Sequence, residues 1–302
     1  MSALPDPTPA EHGLYARTGI AERPPLAWPG GARLALAVMV SVETYEMAPP
    51  EGSFQPANMP GGFGRGPWPD LRSWSQREYG SRVGVFRLLD LLARHGIPLT
   101  PAVDRLSAER CPEIIEALQP WRQAVVAHGE AVTRTVSHRM ARDDEAAMIE
   151  GCAATLEVAF GQRPVAWHGA EYGASANTPA LLAAAGFTRL LDWPNDEQPY
   201  RMATPAGELL SVPVAIDHDD AYAQSQRGLT PARWAAAVLA AVQRMAAEGG
   251  RSLVLNLHPW LSGQPHRISH LDGLLRALKQ QDGIWLADVS GIASWWLQAS
   301  AP

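Results

Sequence analysis

Short apolar segments alternate with helix-like segments along most of the chain. The segment Leu34–Val42 is apolar almost throughout, as expected of a strand that is buried on both faces of a parallel sheet. Further strands are predicted at 97–103, 123–127, 164–167, 187–191, 208–213, 252–257 and 284–287. Helices are predicted between them, at 83–94, 108–118, 143–160, 178–185, 231–247, 271–279 and 291–298. This alternation predicts one parallel α/β domain, either a barrel or a doubly wound sheet.

A polar residue follows strand after strand. These strand-end residues are Glu43, His128, His168, Asp192, His258 and Asp288. In a closed parallel barrel the carboxyl ends of the strands share one face, so side chains far apart in sequence converge on one pocket. A doubly wound sheet would spread them along a crevice. The strand-end residues therefore favour a barrel with a polar pocket at its mouth.

Two parts of the chain lack this alternation. Residues 1–31 are rich in proline and glycine, which predicts an irregular N-terminal arm ahead of a single domain at 32–302. The segment 44–80 has no clear period and contains Phe63, Trp68 and Trp74. A loop of this length is usually functional or disordered. We interpret it either as a lid over the mouth or as a dimer contact.

Composition narrows the functional classes. The chain is 46% hydrophobic and 19% charged, which excludes disorder over most of its length. Its net charge is −6 and no basic block stands out, which argues against nucleic-acid and membrane-surface partners. The longest apolar run, 34–42, is about half of what a membrane-spanning helix needs. The first residues show no secretory signal, and the two cysteines, Cys111 and Cys152, lie in helix-like sequence. We therefore expect a cytoplasmic protein without a disulfide framework.

The candidate chemistry rests on carboxylates and imidazoles. The glycine-rich run at 61–66 is followed by proline and not by a helix, so it is not a phosphate loop. The chain has no Gly-x-Ser-x-Gly elbow, and neither cysteine ends a strand. Carboxylate and imidazole groups can activate a water and protonate a leaving group. The same groups bind zinc where three ligands converge.

Six segments, 33–43, 79–90, 127–129, 175–179, 209–213 and 257–267, resemble the polysaccharide deacetylase superfamily (carbohydrate esterase family 4). The branch they resemble most holds the allantoinase of purine catabolism and the cyclic imide hydrolases. The resemblance covers about residues 30–298. It implies a distorted parallel (β/α) barrel with about seven strands, hydrolysis of a carbon–nitrogen bond, and a homo-oligomer, either a dimer or a tetramer.

The motifs of that family fall on this chain with substitutions. The first motif, Asp-x-Asp, falls on Ser41-Val-Glu43: Glu43 can replace the metal-binding carboxylate, and Ser41 takes the position of the usual base. The second motif, His-x-x-x-His, falls on His128, and Val132 stands at the partner position. The later histidine motif falls on His258. If a metal is bound, the resemblance implies Glu43, His128 and His168 as its ligands, with His138 as an alternative third.

Substrate contacts follow from the same resemblance and from the strand ends. Residues 167–169 take the place of the family's substrate-binding loop, and Asp217-His-Asp-Asp220 resembles a polar stretch of the family's pocket or is a solvated turn. Asp192 either caps a turn, orients a histidine or binds substrate N–H groups. We predict substrate contacts for a set of polar and aromatic residues: Ser41, His168, Asp192, Asp220 and Trp260.

The resulting hypothesis is an amidohydrolase that acts on a small cyclic amide, ureide or imide, with no cofactor or with a weakly held divalent metal such as zinc. Glu43 or His128 would act as general base, and His258 would protonate the leaving nitrogen or hold the oxyanion. Two alternatives stay open: a zinc-dependent polysaccharide N-deacetylase, and a relative that binds a small ligand without catalysis.

Overall fold

The computed structural model describes residues 13–50, 69 and 71–300, and a nine-stranded sheet forms their centre. Its strands are β1 Leu34–Val42, β2 Leu99–Val103, β3 Val126–Ala127, β4 Ala166–Trp167, β5 Arg189–Leu190, β6 Tyr200–Thr204, β7 Gly207–Ser211, β8 Arg251–Leu257 and β9 Ile284–Leu286. The helices are α1 Leu71–Tyr79, α2 Val85–His95, α3 Arg105–Arg110, α4 Pro112–Leu118, α5 Arg142–Phe160, α6 Thr178–Ala184, α7 Pro231–Glu248, α8 Pro259–Ser262, α9 Pro265–Lys279 and α10 Val289–Ala299. None of these helices is both long and apolar enough to cross a membrane.

The sheet is parallel except at one edge. Its strand order is β6-β7-β5-β4-β3-β2-β1-β8, and β9 pairs with the first part of β1. Every pair is parallel except β6 with β7. No strand ladder joins β6 to β8 among the described residues, but the Ser252 N–H in β8 donates to the Glu197 carbonyl at 2.7 Å. Seven consecutive parallel strands therefore form a distorted, incompletely closed (β/α) barrel, which confirms the predicted fold.

The central strand β1 explains how side chains reach the pocket. All nine of its residues are buried. Leu34, Leu36 and Val38 pack among the helices, whereas Ala35, Ala37 and Met39 belong to the cluster inside the barrel. Because side chains alternate along a strand, Ser41 shares the inner face with Met39, and Glu43 follows it just beyond the strand end. The first inner positions of β1 are therefore apolar, and its polar inner residues come only at the carboxyl end, at the mouth of the barrel.

Several predicted boundaries differ from the structure. β3, β4 and β5 have two residues each, shorter than the apolar runs that predicted them. The hairpin of β6 and β7 was only partly predicted, because β6 has a single buried residue, Met202. Residues 71–79 of the predicted loop form α1, whereas Phe63, Trp68 and the run at 61–66 lie outside the described residues. Whether 44–80 is a lid or a dimer contact stays a prediction, as does the division into an arm and one domain.

A close backbone contact fixes α1 and α2 against α8. A π-helical turn, Gly80–Gly84, joins α1 to α2. A Cβ atom at Gly84 would lie 2.1 Å from the Pro259 carbonyl oxygen, and one at Gly80 would lie 2.7 Å from the Trp260 backbone nitrogen. Both distances are below any real contact, so only glycine permits this approach.

Gly84→Ala is therefore expected to lower the free energy of unfolding by about 1–3 kcal/mol, the usual effect of overpacking against atoms that cannot yield. Gly273→Ala is the matched control, since Gly273 lies exposed in α9 and a Cβ atom placed there would have no neighbour within 4 Å. It should raise stability by about 0.5–1 kcal/mol through helix propensity. Urea unfolding measures both, and equal stability of the two variants would contradict the packing argument.

Candidate active site

Three strand ends bring a carboxylate and two imidazoles together. Glu43 follows β1, His128 follows β3 and His258 follows β8. Glu43 Oε1 lies 3.2 Å from His128 Nε2 and 3.7 Å from His258 Nε2. All three side chains are buried, with that of Glu43 only 5% exposed. The residues predicted to carry the chemistry thus meet around one carboxylate oxygen.

The protonation of His128 follows from its two contacts. Its Nδ1–H donates to the His168 carbonyl at 2.6 Å, so any second proton must sit on Nε2, which faces Glu43. Burial lowers the pKa of His128, but the hydrogen bond and charge of Glu43 outweigh it and raise the pKa above the ordinary histidine value. Glu43 and His128 therefore act as a pair that holds a proton between two atoms 3.2 Å apart.

His258 is held as an imidazolium. Its Nδ1–H donates to Asp220 Oδ1 at 2.7 Å, and the Asp219 carboxylate lies 3.7 Å away. Burial opposes its charge, but Asp219, Glu43 and Asp220 outweigh burial and raise the pKa of His258 to about 10. Asp220 in turn accepts the Ser262 hydroxyl and the His258 backbone N–H. The free edge of His258, Nε2, therefore presents a proton toward Glu43.

Arg77 was not predicted and supplies the remaining positive charge. It lies in α1, and its guanidinium Nη1 donates to Glu43 Oε2 at 3.2 Å. The same guanidinium lies 4.1 Å from the centroid of the Trp260 ring. Burial raises the pKa of Glu43, but the charge of His258, the hydrogen bond from His128 and the charge of Arg77 outweigh burial and lower the pKa to about 2. Glu43 is therefore ionised throughout the working pH range.

A second polar chain fixes Asp219. Ser41 Oγ donates to Asn256 Oδ1 at 2.9 Å, and Asn256 Nδ2 donates to Asp219 Oδ2 at 2.9 Å. The Tyr172 hydroxyl also donates to Asp219 Oδ2, at 3.0 Å. Ser41 stands where the resemblance places a base. Its hydroxyl donates to Asn256 and so orients that amide. The polar chain keeps Asp219 as the carboxylate beside His258.

Asp104 positions the backbone next to Glu43. It follows β2 and caps α3, where its Oδ1 accepts the Ser107 N–H at 2.6 Å. Its Oδ2 accepts the Thr44 N–H at 2.5 Å, one residue beyond Glu43. Burial raises the pKa of Asp104 to about 7, although these hydrogen bonds oppose the rise. The strand-end rule that selected Glu43 and His128 would also have selected Asp104.

The residues predicted to bind substrate divide into two groups. Ser41 and Trp260 line a pocket beside Glu43 that Arg77 also borders. His168 and Asp192 lie behind His128 instead: the rings of His168 and His128 stack at 5.0 Å, and His168 Nδ1 donates to Asp192 Oδ1 at 3.0 Å. Both are almost fully buried, so they orient His128. Burial lowers the pKa of His168 and keeps it neutral.

Two further expectations need correction. Asp220 is not available to a substrate, because it is fully buried and its carboxylate is engaged with His258 and Ser262. Asp288 does not reach the mouth: β9 pairs with Leu34–Leu36 at the start of β1, and the Asp288 side chain accepts the Gly291 N–H as the cap of α10. Because β9 ends beside Leu36 after three residues, whereas β8 starts at the same level and runs on to Val40, the residue after β9 stops short of the mouth. The sequence does not reveal this difference in strand length.

The side chains that could hold a metal are not those that the resemblance implied. His168 is turned toward Asp192 and His138 is exposed, so neither completes a set with Glu43 and His128. Among the described residues, Asp219, Asp220 and His258 have ligand atoms within 4.8 Å of one another. A metal on His258 Nδ1 would displace the proton donated to Asp220, and all four carboxylate oxygens already accept hydrogen bonds. The group could therefore hold a divalent metal if His258 Nδ1 gave up its hydrogen bond to Asp220, because metal-bound carboxylates commonly keep hydrogen bonds from other donors.

Comparisons with known proteins show which proteins this chain is similar to. No protein-family model matches the chain. A Schizosaccharomyces pombe protein named "Putative polysaccharide deacetylase" is 26% identical over 303 residues, 89% of this chain and 92% of its own length. The crystal structure of a "probable Polysaccharide deacetylase" from Pseudomonas aeruginosa PAO1 is 27% identical with a TM-score of 0.82, covering 94% of this chain and 98% of its own. The structure of Puue allantoinase is 25% identical with a TM-score of 0.80, covering 95% and 98%. The chain is similar in sequence and in fold to proteins named polysaccharide deacetylases, and an allantoinase is among its structural neighbours.

Proposed function

We propose that this polysaccharide deacetylase homologue is a hydrolase that opens a carbon–nitrogen bond in a small cyclic amide, ureide or imide. The observation that carries the proposal is the position of Glu43 between two imidazoles, with the Arg77 guanidinium on its other oxygen. The set contains a proton acceptor, a proton donor and a fixed positive charge, the groups that amide hydrolysis with water requires. The name of the similar allantoinase supports a ureide or a related ring as substrate.

The Glu43–His128 pair activates the water. With a pKa of about 2, Glu43 alone is a weak base near neutral pH. In the active form the pair has lost the proton that it shares, so His128 Nε2, which lies 3.2 Å from Glu43 Oε1, can accept the proton of the water. The water oxygen forms the new bond to the carbonyl carbon, while its proton passes to this pair. His168 and Asp192 keep the His128 ring in place during the transfer, because they hold its Nδ1 edge and its face.

His258 completes the reaction from the other side. Its Nε2–H donates first toward the developing oxyanion and then to the leaving nitrogen, as the carbon–nitrogen bond breaks. The products are a carboxylate and an N–H group on the same opened molecule. Arg77, stacked on Trp260, adds a second donor for the oxyanion. Fixed donors of this kind stabilise the transition state without reorganisation.

A second candidate is a zinc-dependent N-deacetylase, which the Asp219–Asp220–His258 group favours. Three ligands suffice for a catalytic zinc site. In such an enzyme His258 Nδ1 would give up its hydrogen bond to Asp220 and would bind the ion together with the two carboxylates. The two candidates therefore differ in metal content as well as in substrate.

The test is a substrate panel of hydantoin, succinimide, allantoin and N-acetylated sugars, assayed with added zinc and with a chelator. We expect turnover of at least one cyclic compound, unchanged by the chelator, and none of the sugars. Stoichiometric zinc in the purified protein, with sugar deacetylation that the chelator abolishes, would instead establish the deacetylase. Binding of cyclic compounds without any turnover would show a ligand-binding relative.

A further inference from the structure

Two consecutive non-glycine residues in the turn after β4 have left-handed backbone conformations. Glu171 has φ 54° and Tyr172 has φ 57°, and among the described residues they are the only non-glycine residues with positive φ. Side chains are rarely found there because Cβ approaches the backbone. Such conformations cluster at functional sites, where the surrounding structure enforces them. The two side chains that this turn positions are therefore candidates for a functional role.

Packing on both sides fixes the path of this turn. A Cβ atom at Gly169 would lie 2.4 Å from the Gly173 carbonyl oxygen, and one at Gly173 would lie 2.2 Å from Thr135 Cγ2. The glycines therefore bring the two ends of the turn together and press it against the segment that follows β3. The backbone strain therefore falls on Glu171 and Tyr172, because the packing around Gly169 and Gly173 prevents either end of the turn from moving.

The strained turn directs both side chains into the site. The Tyr172 hydroxyl donates to Asp219, and its ring meets the His168 ring edge to face at 4.9 Å. Glu171 Oε1 lies 3.8 Å from Arg77 Nη2. The Glu171 side chain is 33% exposed, whereas that of Glu43 is 5% exposed. Arg77 thus lies between an inner carboxylate and one at the rim.

We propose that Arg77 and Glu171 together read the N–H and C=O edge of a cyclic amide, with Glu171 as the acceptor for the substrate N–H. This inference rests on the proposed function. The 3.8 Å separation is longer than a hydrogen bond, so the donor and the acceptor stand side by side as an unclosed pair. A ring amide presents its N–H and C=O on the same edge, because the ring holds the peptide unit cis. An acyclic secondary amide is trans and presents them on opposite sides.

This arrangement distinguishes cyclic from acyclic amides, which the catalytic groups alone do not. Glu43, His128 and His258 could serve either a cyclic or an acyclic amide. A guanidinium is donor only, and a carboxyl oxygen accepts an N–H bond whether or not the group is protonated. A substrate without the N–H would leave Glu171 facing Arg77 with nothing between them. The pair therefore selects unsubstituted cyclic amides.

The experiment compares hydantoin and succinimide with their N-methyl analogues at the nitrogen of the scissile bond. The wild-type protein should prefer the N–H compound. Glu171→Met, which removes the acceptor at similar length, should lower kcat/KM for the N–H compound by about 10- to 100-fold, mainly through KM, the loss expected for a hydrogen bond to a charged group. The N-methyl compound should change little, and Glu171→Gln, which keeps an acceptor oxygen, should restore part of the preference.

Glu109→Met is the matched control, since Glu109 is another glutamate paired with an arginine, Arg105, but on the exposed face of α3. It should keep the wild-type preference. If Glu171→Met slows the N–H and N-methyl compounds equally, Glu171 only supports Arg77 and the inference fails, while the proposed function stands. If wild type turns over no cyclic compound, the proposed function fails, and the recognition role with it.

Discussion

Glu43→Gln is expected to lower kcat by about 10²–10⁴-fold while leaving the protein folded, the range for loss of a positioned base. Glutamine fills the same space, but it cannot carry the negative charge that His128, His258 and Arg77 surround. Its amide oxygen would accept from Arg77 Nη1, and its N–H₂ would donate to His128 Nε2, which occupies the atom that should take the proton of the water. The water would then lose both its orienting group and the proton acceptor that depends on it. Steady-state assays on the best cyclic substrate measure the loss.

The matched control is Glu46→Gln. Glu46 is also a largely buried glutamate bound by an arginine, since its carboxylate accepts Arg134 at 2.8 Å and the Thr133 hydroxyl at 2.8 Å. Its hydrogen bonds and its ion pair are made with Arg134 and Thr133, and among the described residues it has none with Glu43, His128 or His258. We expect its kcat to remain close to wild type. A Glu43→Gln protein that melts normally and keeps its kcat within about threefold would leave Glu43 with no role in water activation.

The centre of the site could be predicted because it follows from strand geometry. An uninterrupted apolar run identified β1, and parallel strands bring their carboxyl ends to one face, which placed Glu43, His128 and His258 together. The same logic was wrong for Asp288, since it assumes that every strand runs up to the mouth, and β9 ends beside Leu36 although it starts at the same level as β8. How far a strand extends along its neighbour depends on packing that a single sequence does not display.

The rim of the site could not be predicted. Arg77 comes from α1, after a segment without periodicity, and nothing distinguishes it among 25 lysines and arginines. Glu171 reaches the site only through a left-handed turn that the sequence does not mark, since no glycine stands at the strained positions. Loops carry most binding residues, and their paths depend on contacts made elsewhere in the fold. The positions of the proposed catalytic residues could therefore be predicted from the strands, but those of the residues proposed to select the substrate could not.

His258→Gln is expected to lower kcat/KM by about 10²–10⁴-fold and to remove the alkaline limb of the pH profile. In the wild type, kcat/KM should rise as the Glu43–His128 pair loses its proton, above the ordinary histidine pKa of about 6.5. It should fall as His258 loses its proton at about pH 10. The variant keeps the rising limb only. His95→Gln is the control, because His95 also pairs with an aspartate, Asp272, at 2.7 Å, at the far end of α2.

The same pKa makes a prediction about stability. The folded-state pKa of His258 is raised above its unfolded value, so the charged ring contributes stability that is fully present below pH 6.5 and is lost as the pH rises through about 10. The difference in unfolding free energy between wild type and His258→Gln should therefore shrink across this window. Urea unfolding at pH 6 and pH 10 measures it, and a constant difference would mean that His258 is not charged in the folded protein.

A change of leaving group separates the two catalytic roles. A ring whose nitrogen is more acidic needs less protonation as the carbon–nitrogen bond breaks, so His258→Gln should lose less activity on that substrate than on the parent compound. Glu43→Gln should lose the same factor on both, because attack by water precedes departure of the nitrogen. If both variants respond alike to the leaving group, then His258 acts on the oxyanion and not on nitrogen. In that case the proton for the leaving group must come from the Glu43–His128 pair, which received it from water. Both imidazoles face the same oxygen of Glu43, since His258 Nε2 lies 3.7 Å from the Oε1 atom that also contacts His128.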